Sequence, residues 1–466
     1  MIAKLETPPA VVRALAIIAA INAQNADITP ADRQVKYAKM AASPFVFFRG
    51  TNHLFWADFA GDPRLDQFGG PQARTWLQGD LHAENFGAFS NDEGDVVYDI
   101  NDFDEAVIAD YQYDLWRMAV SIVLVAREQG DLSRKEQKQV VAAFSRAYLD
   151  TVAGYCARGG ERDTIFDRRN TFGRLDNLLK KVEKKKTRAE MLADWTADGR
   201  FLVEEKPDKL AVIPDALRQE IIAAMAPYRT QSLAKRPAGA EDNANYFQVR
   251  DVARRLSAGT GSLGTPRFYV LIHGDNEELK TDRILDVKKQ ARPVPYQFLP
   301  AEDQREYDFF TKAHPGRDAV WHAAAYRAMA KDTDDLLGWM ALSDGYYSVR
   351  ERSFTKETLD LAELDSQKRF AKLAQQWGMI IATDHARAMT DYNDDFPPAD
   401  LRQELFRSKR DEKAFKCRVA AATTAQEQPF TRLVQEVAFN YAEQVTTDWA
   451  TFKEAYAHSL NQPSPP

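Results

Sequence analysis

Residues 79–87, GDLHAENFG, have types and a spacing that suit phosphoryl transfer. An Asp followed five residues later by an Asn is the pattern of a phosphotransferase catalytic loop. In such a loop Asp80 would accept the proton of a substrate hydroxyl, and Asn85 would bind Mg²⁺ through its amide oxygen. The spacing alone is a weak signal, so the interpretation depends on the segments that accompany it.

The next segment, VVYDINDFDEA at 96–106, supplies carboxylates for a metal ion. A β-like run that ends in Asp-Phe-Asp places a carboxylate at a strand end, where a hard cation such as Mg²⁺ can reach it. Asp102 is the first choice as the ligand because it precedes Phe103, and Asp104 and Asp99 are rivals. The alternative is an acidic turn whose carboxylates accept from its own backbone amides.

A glycine-rich motif with the pattern G-x-G-x-x-G occurs much later in the chain. It leads through Thr265-Pro266 into the β-like run RFYVLI, whereas the same motif in a dinucleotide-binding fold opens a helix. A glycine turn between strands leaves backbone N–H groups free to meet phosphates. The candidate nucleotide-binding residues of this turn are Gly259, Gly261, Ser262 and Gly264.

The run RILDVKK that follows has the alternation of a strand and carries two candidate lysines. Lys288 would hold the α- and β-phosphates of ATP, and Lys289 would point to the opposite face of the strand. An exposed edge-strand lysine is the alternative. Arg49, after the aromatic run FVFF, is a further phosphate-binding candidate, with a structural ion pair as an equal alternative.

The first two segments resemble the GDLHxxN and IDFxxA motifs of aminoglycoside and choline phosphotransferases, a branch of the protein-kinase-like fold. The resemblance implies ATP and Mg²⁺ as cofactors and an unidentified hydroxyl-bearing acceptor. It also implies that Asp114, in YDLWRM, braces the catalytic loop, whereas we interpret His385 as a packed or capping residue. Because the glycine-rich turn and the lysine come after the catalytic loop, a bilobal, circularly permuted kinase-like fold is expected.

The chain as a whole resembles a bacterial family known as domain of unknown function 2252. The matching pieces lie between residues 43 and 391 and include SPFVFFRGT, GDLHAENFG, YDINDFDEA, VKKQARP, GYYSVRE and DHARAMTD. The helix before LGW, GRDAVWHAAAYRAMAKDTDD, lacks the acidic residue expected to pair with Lys288, which leaves Glu302 and Glu306 as candidates. A pseudokinase therefore remains an alternative to a phosphotransferase. A nucleotidyltransferase is a further alternative, because it would use the same groups with ATP bound in the reverse orientation.

The elements that must position these residues indicate an α+β fold, because helical and β-like stretches do not alternate regularly. A helix-like sequence pattern with a break at Thr29-Pro30 precedes β-like runs that begin with FVFFRG. We expect N-terminal helices at 1–42, the catalytic segments with large-lobe helices at 43–250, a small nucleotide-binding lobe at 251–350, and C-terminal helices at 351–466. Two strands are predicted around Ser343-Asp344-Gly345.

Composition limits the other possibilities. The 466 residues carry 62 Lys and Arg against 69 Asp and Glu, a net charge of −7 that argues against general binding of nucleic acid or anionic membranes. Cys156 and Cys417 are too few for a cysteine-rich zinc site or a disulfide framework, and their number suits a reducing cytoplasm. No stretch approaches the roughly 18–20 apolar residues of a membrane span.

Overall fold

A computed structural model describes residues 10–91, 94–129, 132–184, 187–233, 237, 240, 243–256, 263–276, 278–313, 317–389 and 414–460. It has the mixed α+β architecture that the sequence predicts. Within these ranges no helix combines the length and the apolar character needed to cross a membrane.

The helices of the described chain occur in several runs separated by strands. Their starts follow ordinary capping rules: the Thr29 side chain accepts from the amide of Asp32 with Pro30 at the first helical position, and Ser133 forms a capping box with Glu136. The helices are α1 (Ala10–Gln24), α2 (Pro30–Met40), α3 (Pro44–Gly50), α4 (Asn52–Phe59), α5 (Gln112–Glu128), α6 (Arg134–Arg158), α7 (Arg174–Val182), α8 (Arg188–Trp195), α9 (Asp215–Pro227), α10 (Ala301–Ala313), α11 (Arg317–Met329), α12 (Gln367–Ala388), α13 (Ala414–Thr423) and α14 (Glu427–Leu460).

The largest core lies among α5, α6, α12 and α14. α5 is buried on nearly all of its surface, because its sequence YDLWRMAVSIVLVA places apolar residues on every side of the helix. α6 and α12 approach closely at Gly378, where a Cβ would lie 2.3 Å from the carbonyl oxygen of Phe144. This helical body forms the base on which the candidate catalytic segments lie.

Four short strands and one larger sheet account for most of the β-structure. The strands are β1 (Arg74–Leu77), β2 (Phe86–Ser90), β3 (Val96–Ile100), β4 (Val107–Asp110), β5 (Thr196–Ala197), β6 (Arg200–Phe201), β7 (Leu210–Ala211), β8 (Val249–Arg255), β9 (Arg267–Ile272), β10 (Arg283–Lys289), β11 (Gly338–Leu342) and β12 (Gly345–Glu351). The antiparallel sheet has the order β11-β12-β10-β9-β8-β7.

One face of this sheet is apolar and the other is divided. Leu285 and Val287 on β10 join a core with α9, whereas Asp286 and Lys288 alternate with them and point to the opposite face. That opposite face is apolar near α8, where Tyr269, Leu271 and Ile284 pack, and charged beyond it. The strand predicted from RILDVKK and its two-residue alternation are therefore confirmed.

The pairings of the first four strands are nested. β1 pairs with β4, and β2 pairs with β3. The segment between β1 and β2 must therefore lie beside the segment between β3 and β4. These are the two segments that the sequence singles out, GDLHAEN and NDFDEA.

Two expectations need correction. The run FVFFRG is not a strand but the helix α3, because Ser43 caps its amino end by accepting from the amide of Val46 and Pro44 occupies the first helical position. The two cysteines, taken from their number as suited to a reducing compartment, are joined to each other in a disulfide between α6 and α13.

Candidate active site

The two nested segments are held together by Gln78. Its side-chain oxygen accepts from the amide of Asp80 at 2.8 Å, and its amide nitrogen donates to the carbonyl of Asp102 at 3.0 Å. Gly79 allows the close approach: it has a φ of +80°, and a Cβ there would lie 1.9 Å from the carbonyl oxygen of Glu105. Position 79 therefore requires glycine, and the close packing of the two segments depends on it.

Asp80 lies against a buried arginine. Its carboxylate accepts a hydrogen bond from Arg117 of α5, whose guanidinium stacks 4.1 Å from the centre of the Phe48 ring. Burial raises the pKa of Asp80 and Arg117 opposes that effect, while Asp102 adds to it, so that the pKa lies at about 6. Asp80 is therefore ionised at neutral pH but is a stronger base than an exposed aspartate.

Asp102 has a carboxylate that makes no hydrogen bond within the described part of the chain. Burial and the neighbouring Asp104 raise its pKa, and Lys288 opposes them. A carboxylate that is close to cations yet makes no hydrogen bond has both oxygens available for a metal ion or a phosphate-bound cation.

Lys288 pairs with Asp104, an acid in the same segment as Asp102. Its ammonium donates to Asp104, whose other oxygen accepts from Gln290 at 3.1 Å and lies 3.5 Å from His322 Nε2. Burial acts to raise the pKa of Asp104, but Lys288 and His322 outweigh it and hold the pKa below its ordinary value. The acidic partner that the sequence left unassigned is thus Asp104; Glu302 and Glu306 lie on α10, but their side chains are outside the described structure.

A cavity of about 160 Å³ lies where these groups meet. It brings together candidates from three distant parts of the sequence, and Lys288 and Asp104 alone are 184 residues apart. The candidate residues that line the cavity are Arg49, Asp80, Asp102, Asp104 and Lys288.

Other candidates lie elsewhere. Asn85 is buried outside the cavity lining, and its amide oxygen accepts from the amide of His82 at 2.9 Å; its role as a metal ligand stays a prediction. Asp99 is buried beside Asp384 and Arg387, and Lys289 pairs with Asp344 at 3.1 Å.

The glycine-rich turn is described only at its end. Gly259, Gly261 and Ser262 lie outside the described residues, so their nucleotide-binding role stays a prediction. Gly264 has a φ of +87°, and a Cβ there would lie 2.5 Å from the Ile28 side chain. Thr265, the next residue, lines the cavity beside Lys288.

Arg49 and Asp114 hold the candidate catalytic segment from two sides. Arg49 forms an ion pair with Glu84 at 2.6 Å, as the structural interpretation expects. It also lines the cavity, so a phosphate-binding role stays a prediction. Asp114 accepts from the amides of Gln78 and Gly79, and His385 lies 3.4 Å from it while also contacting the Tyr148 hydroxyl. Asp114 thus holds the start of the segment, and His385 is packed in the core.

Sequence reasoning missed several residues of the cavity. Gln78 immediately precedes the first motif, and Glu105 lies within the second without having been assigned a role. Burial and then the charge of Asp80 raise the pKa of Glu105 to about 8. Lys36 of α2 lines the same cavity and has its pKa lowered by burial. The sequence carried one signal for these contacts, which is Arg117 in the middle of the apolar helix α5. An arginine buried on an apolar helix needs an acidic partner.

Comparison with known proteins identifies a family. A family model described as an uncharacterized protein conserved in bacteria (DUF2252) matches residues 29–455. The chain belongs to this family. The resemblance drawn from GDLHAENFG and the other pieces is thereby confirmed as far as family membership goes. No curated protein and no solved structure matched the chain.

Proposed function

We propose that this member of the DUF2252 family is an ATP- and Mg²⁺-dependent phosphotransferase that acts on a hydroxyl of a small molecule or protein. The observation that carries the proposal is the convergence of Asp80, Asp102 and Lys288 on one cavity. These are the base, metal ligand and phosphate-binding lysine that phosphoryl transfer requires.

The order of elements around the cavity supports a permuted kinase-like fold. The glycine-rich sequence joins β8 to β9, and Lys288 lies on the third strand of that run, β10. A glycine loop followed by a lysine on the third strand is the arrangement of protein kinases. In this chain it follows the catalytic segment, so the small lobe comes after part of the large one.

The proposed reaction follows from these positions. Asp80 accepts the proton as the acceptor oxygen forms a bond to the γ-phosphorus, and the bond from that phosphorus to the β-phosphate oxygen breaks, releasing ADP. Lys288 holds the phosphates in place for this transfer. Its pairing with Asp104 fixes the ammonium near the cavity and supports an active enzyme over a pseudokinase.

The donor set fits Mg²⁺. Among the described residues no three His, Cys, Asp or Glu side chains are grouped closely enough to form a metal site by themselves. Mg²⁺ keeps several waters and uses one or two carboxylates together with substrate phosphates, so it needs no such group. Asp102 would hold the cation, because its carboxylate makes no hydrogen bond among the described residues. The cation would neutralise charge on the transferred phosphoryl group.

Replacement of Lys288 tests nucleotide binding. Mg·ATP should raise the melting temperature of the full chain, since a ligand at 100 times its Kd adds about 2.7 kcal/mol to the free energy of unfolding. Lys288→Met should reduce that increase, measured by differential scanning calorimetry against each variant without ligand. Lys289→Met is the matched control, because this neighbouring lysine points to the other face and pairs with Asp344. Equal increases in both variants would contradict the assignment of Lys288.

A further inference from the structure

A second and larger cavity lies beside the first. Its volume is about 610 Å³, within the roughly 300–1,000 Å³ of small-molecule sites. It opens over the charged part of the sheet face, between β10, β12 and the β2–β3 hairpin. Its lining includes Arg267, Asp286, Tyr326, Arg350, Phe354 and Lys356.

The cations of this cavity fall into two groups. Arg188, Arg267 and Lys331 are each paired with a carboxylate, respectively Glu351, Asp286 and Asp332. Arg350, Arg352 and Lys356 have no carboxylate within ion-pair distance in the described ranges. Arg350 donates to the carbonyl of Asn101 at 3.3 Å, and Arg352 stacks 4.6 Å from the Trp195 ring.

Lys356 is one of the cavity's cations that form no ion pair in the described ranges. Its side chain is accessible within the cavity and makes no hydrogen bond to any described residue. Surrounding protein atoms, and then the charge of Arg350, lower its pKa to about 8. The adjoining residue, Glu357, forms an antiparallel bridge with Ala88 of β2, so the backbone that carries the lysine is fixed.

We propose that this cavity binds a phosphate group, held by Lys356 and Arg350. The charges of Lys356 and Arg350 repel each other; Asp102 and Asp286 offset part of that repulsion without forming an ion pair with either cation, and an anion between the two cations would offset more of it. Arg350 offers the planar fork that suits phosphate, and Lys356 offers a point charge. The proposal goes beyond the transfer reaction, because anion binding here would persist even if that reaction were absent.

The two cavities share Asp102 as a neighbour. Its charge is stabilised by Lys288 from the smaller cavity and by Lys356 and Arg350 from the larger one. Asp286 and Lys288, two residues apart on β10, likewise place the two cavities side by side on one sheet face. A phosphate in the larger cavity would therefore belong either to the nucleotide itself or to a phosphorylated acceptor.

Inorganic pyrophosphate is the probe, titrated into the full chain by isothermal calorimetry. Lys356→Met should weaken its binding by at least about 10-fold, as expected for loss of a charge-assisted contact. Lys331→Met is the matched control, because it removes a lysine of the same cavity that is already paired with Asp332. The proposal would be overturned if the wild type and Lys356→Met bound pyrophosphate with equal affinity. It would also be overturned if only Lys288→Met lost affinity for pyrophosphate.

Saturating ATP distinguishes the two sources of phosphate. If the site takes a nucleotide phosphate, ATP should prevent pyrophosphate binding and Lys356→Met should weaken ATP itself. If it takes an acceptor phosphate, pyrophosphate should still bind in the presence of ATP, and only that binding should depend on Lys356. Pyrophosphate that binds Lys356→Met as tightly as wild type under both conditions would overturn both forms.

Discussion

Replacement of Asp80 by asparagine is expected to reduce phosphoryl transfer by about 10²–10⁴-fold, the usual contribution of a general base. Asparagine keeps the shape of the side chain and an oxygen that can accept from Arg117, but it cannot take a proton at neutral pH. Binding of Mg·ATP, measured by calorimetry, should remain. The rate would be followed as ADP release with an acceptor, or as slow ATP hydrolysis without one.

Asp110→Asn provides the matched control for this experiment. Burial raises the pKa of Asp110 to about 6 as well, but this carboxylate accepts from the amides of Gln112 and Gly70, away from the cavity. Its replacement should leave the rate close to wild type after correction for any loss of folded protein. If Asp80→Asn and Asp110→Asn had the same rate, Asp80 would not be the base.

The pH dependence should identify the same residue. With a pKa of about 6 for Asp80, the ionised form that accepts a proton is lost as the pH falls through 6. The wild-type rate should therefore decline below pH 6, and Asp110→Asn should keep that decline. The residual rate of Asp80→Asn should lack it. A pseudokinase would bind ATP and show no rate to which these profiles apply.

Gly79→Ala is expected to have the largest effect on stability among substitutions at the site. The residue adopts a positive φ, and its new Cβ would meet the backbone oxygen of Glu105 at 1.9 Å. Conformational strain of about 1–3 kcal/mol and overpacking of about 1–3 kcal/mol would together lower the free energy of unfolding by about 2–6 kcal/mol. That loss is a large share of the roughly 5–15 kcal/mol of a typical domain.

Gly61→Ala separates the two causes. Gly61 has a similar φ of +68°, but a Cβ there would meet no atom within 4 Å. Gly61→Ala should therefore lower the free energy of unfolding by the strain alone, about 1–3 kcal/mol, in a urea denaturation experiment. If the two variants lost equal stability, close approach of the segments GDLHAEN and NDFDEA would not be the reason for glycine at position 79.

Much of the fold could be predicted because local patterns decided it. The alternation in RILDVKK placed Lys288 and Lys289 on opposite faces, and the turn at Asp344 predicted the β11–β12 hairpin. FVFFRG was misinterpreted because its aromatic residues favour strands, whereas the Ser-Pro pair before it starts a helix. In that case capping outweighed intrinsic β-propensity.

The site was predicted only in part, because its contacts are non-local. The sequence identifies Asp80, Asp102 and Lys288 through motifs, but nothing in it shows that Asp104 pairs with Lys288 across 184 residues. The helix expected to carry that acid, α11, instead presents His322 to Asp104. The cations of the larger cavity were missed for the same reason: Arg350 lies in the piece GYYSVRE, to which no pattern assigns a role, and Lys356 lies outside the quoted pieces.

The disulfide between Cys156 and Cys417 has a consequence for the covalent connectivity of the molecule. It closes a ring that contains Lys288, Arg350 and Lys356, while Asp80 and Asp102 lie on the amino-terminal tail outside it. One backbone cut at an engineered protease site between residues 389 and 414 would open the ring without releasing a fragment. On a non-reducing gel the cut chain would remain a single species of 52.8 kDa, and a thiol reductant would separate it into two. The redox state would thus decide whether the C-terminal helices α13 and α14 stay covalently attached to the rest of the chain after cleavage.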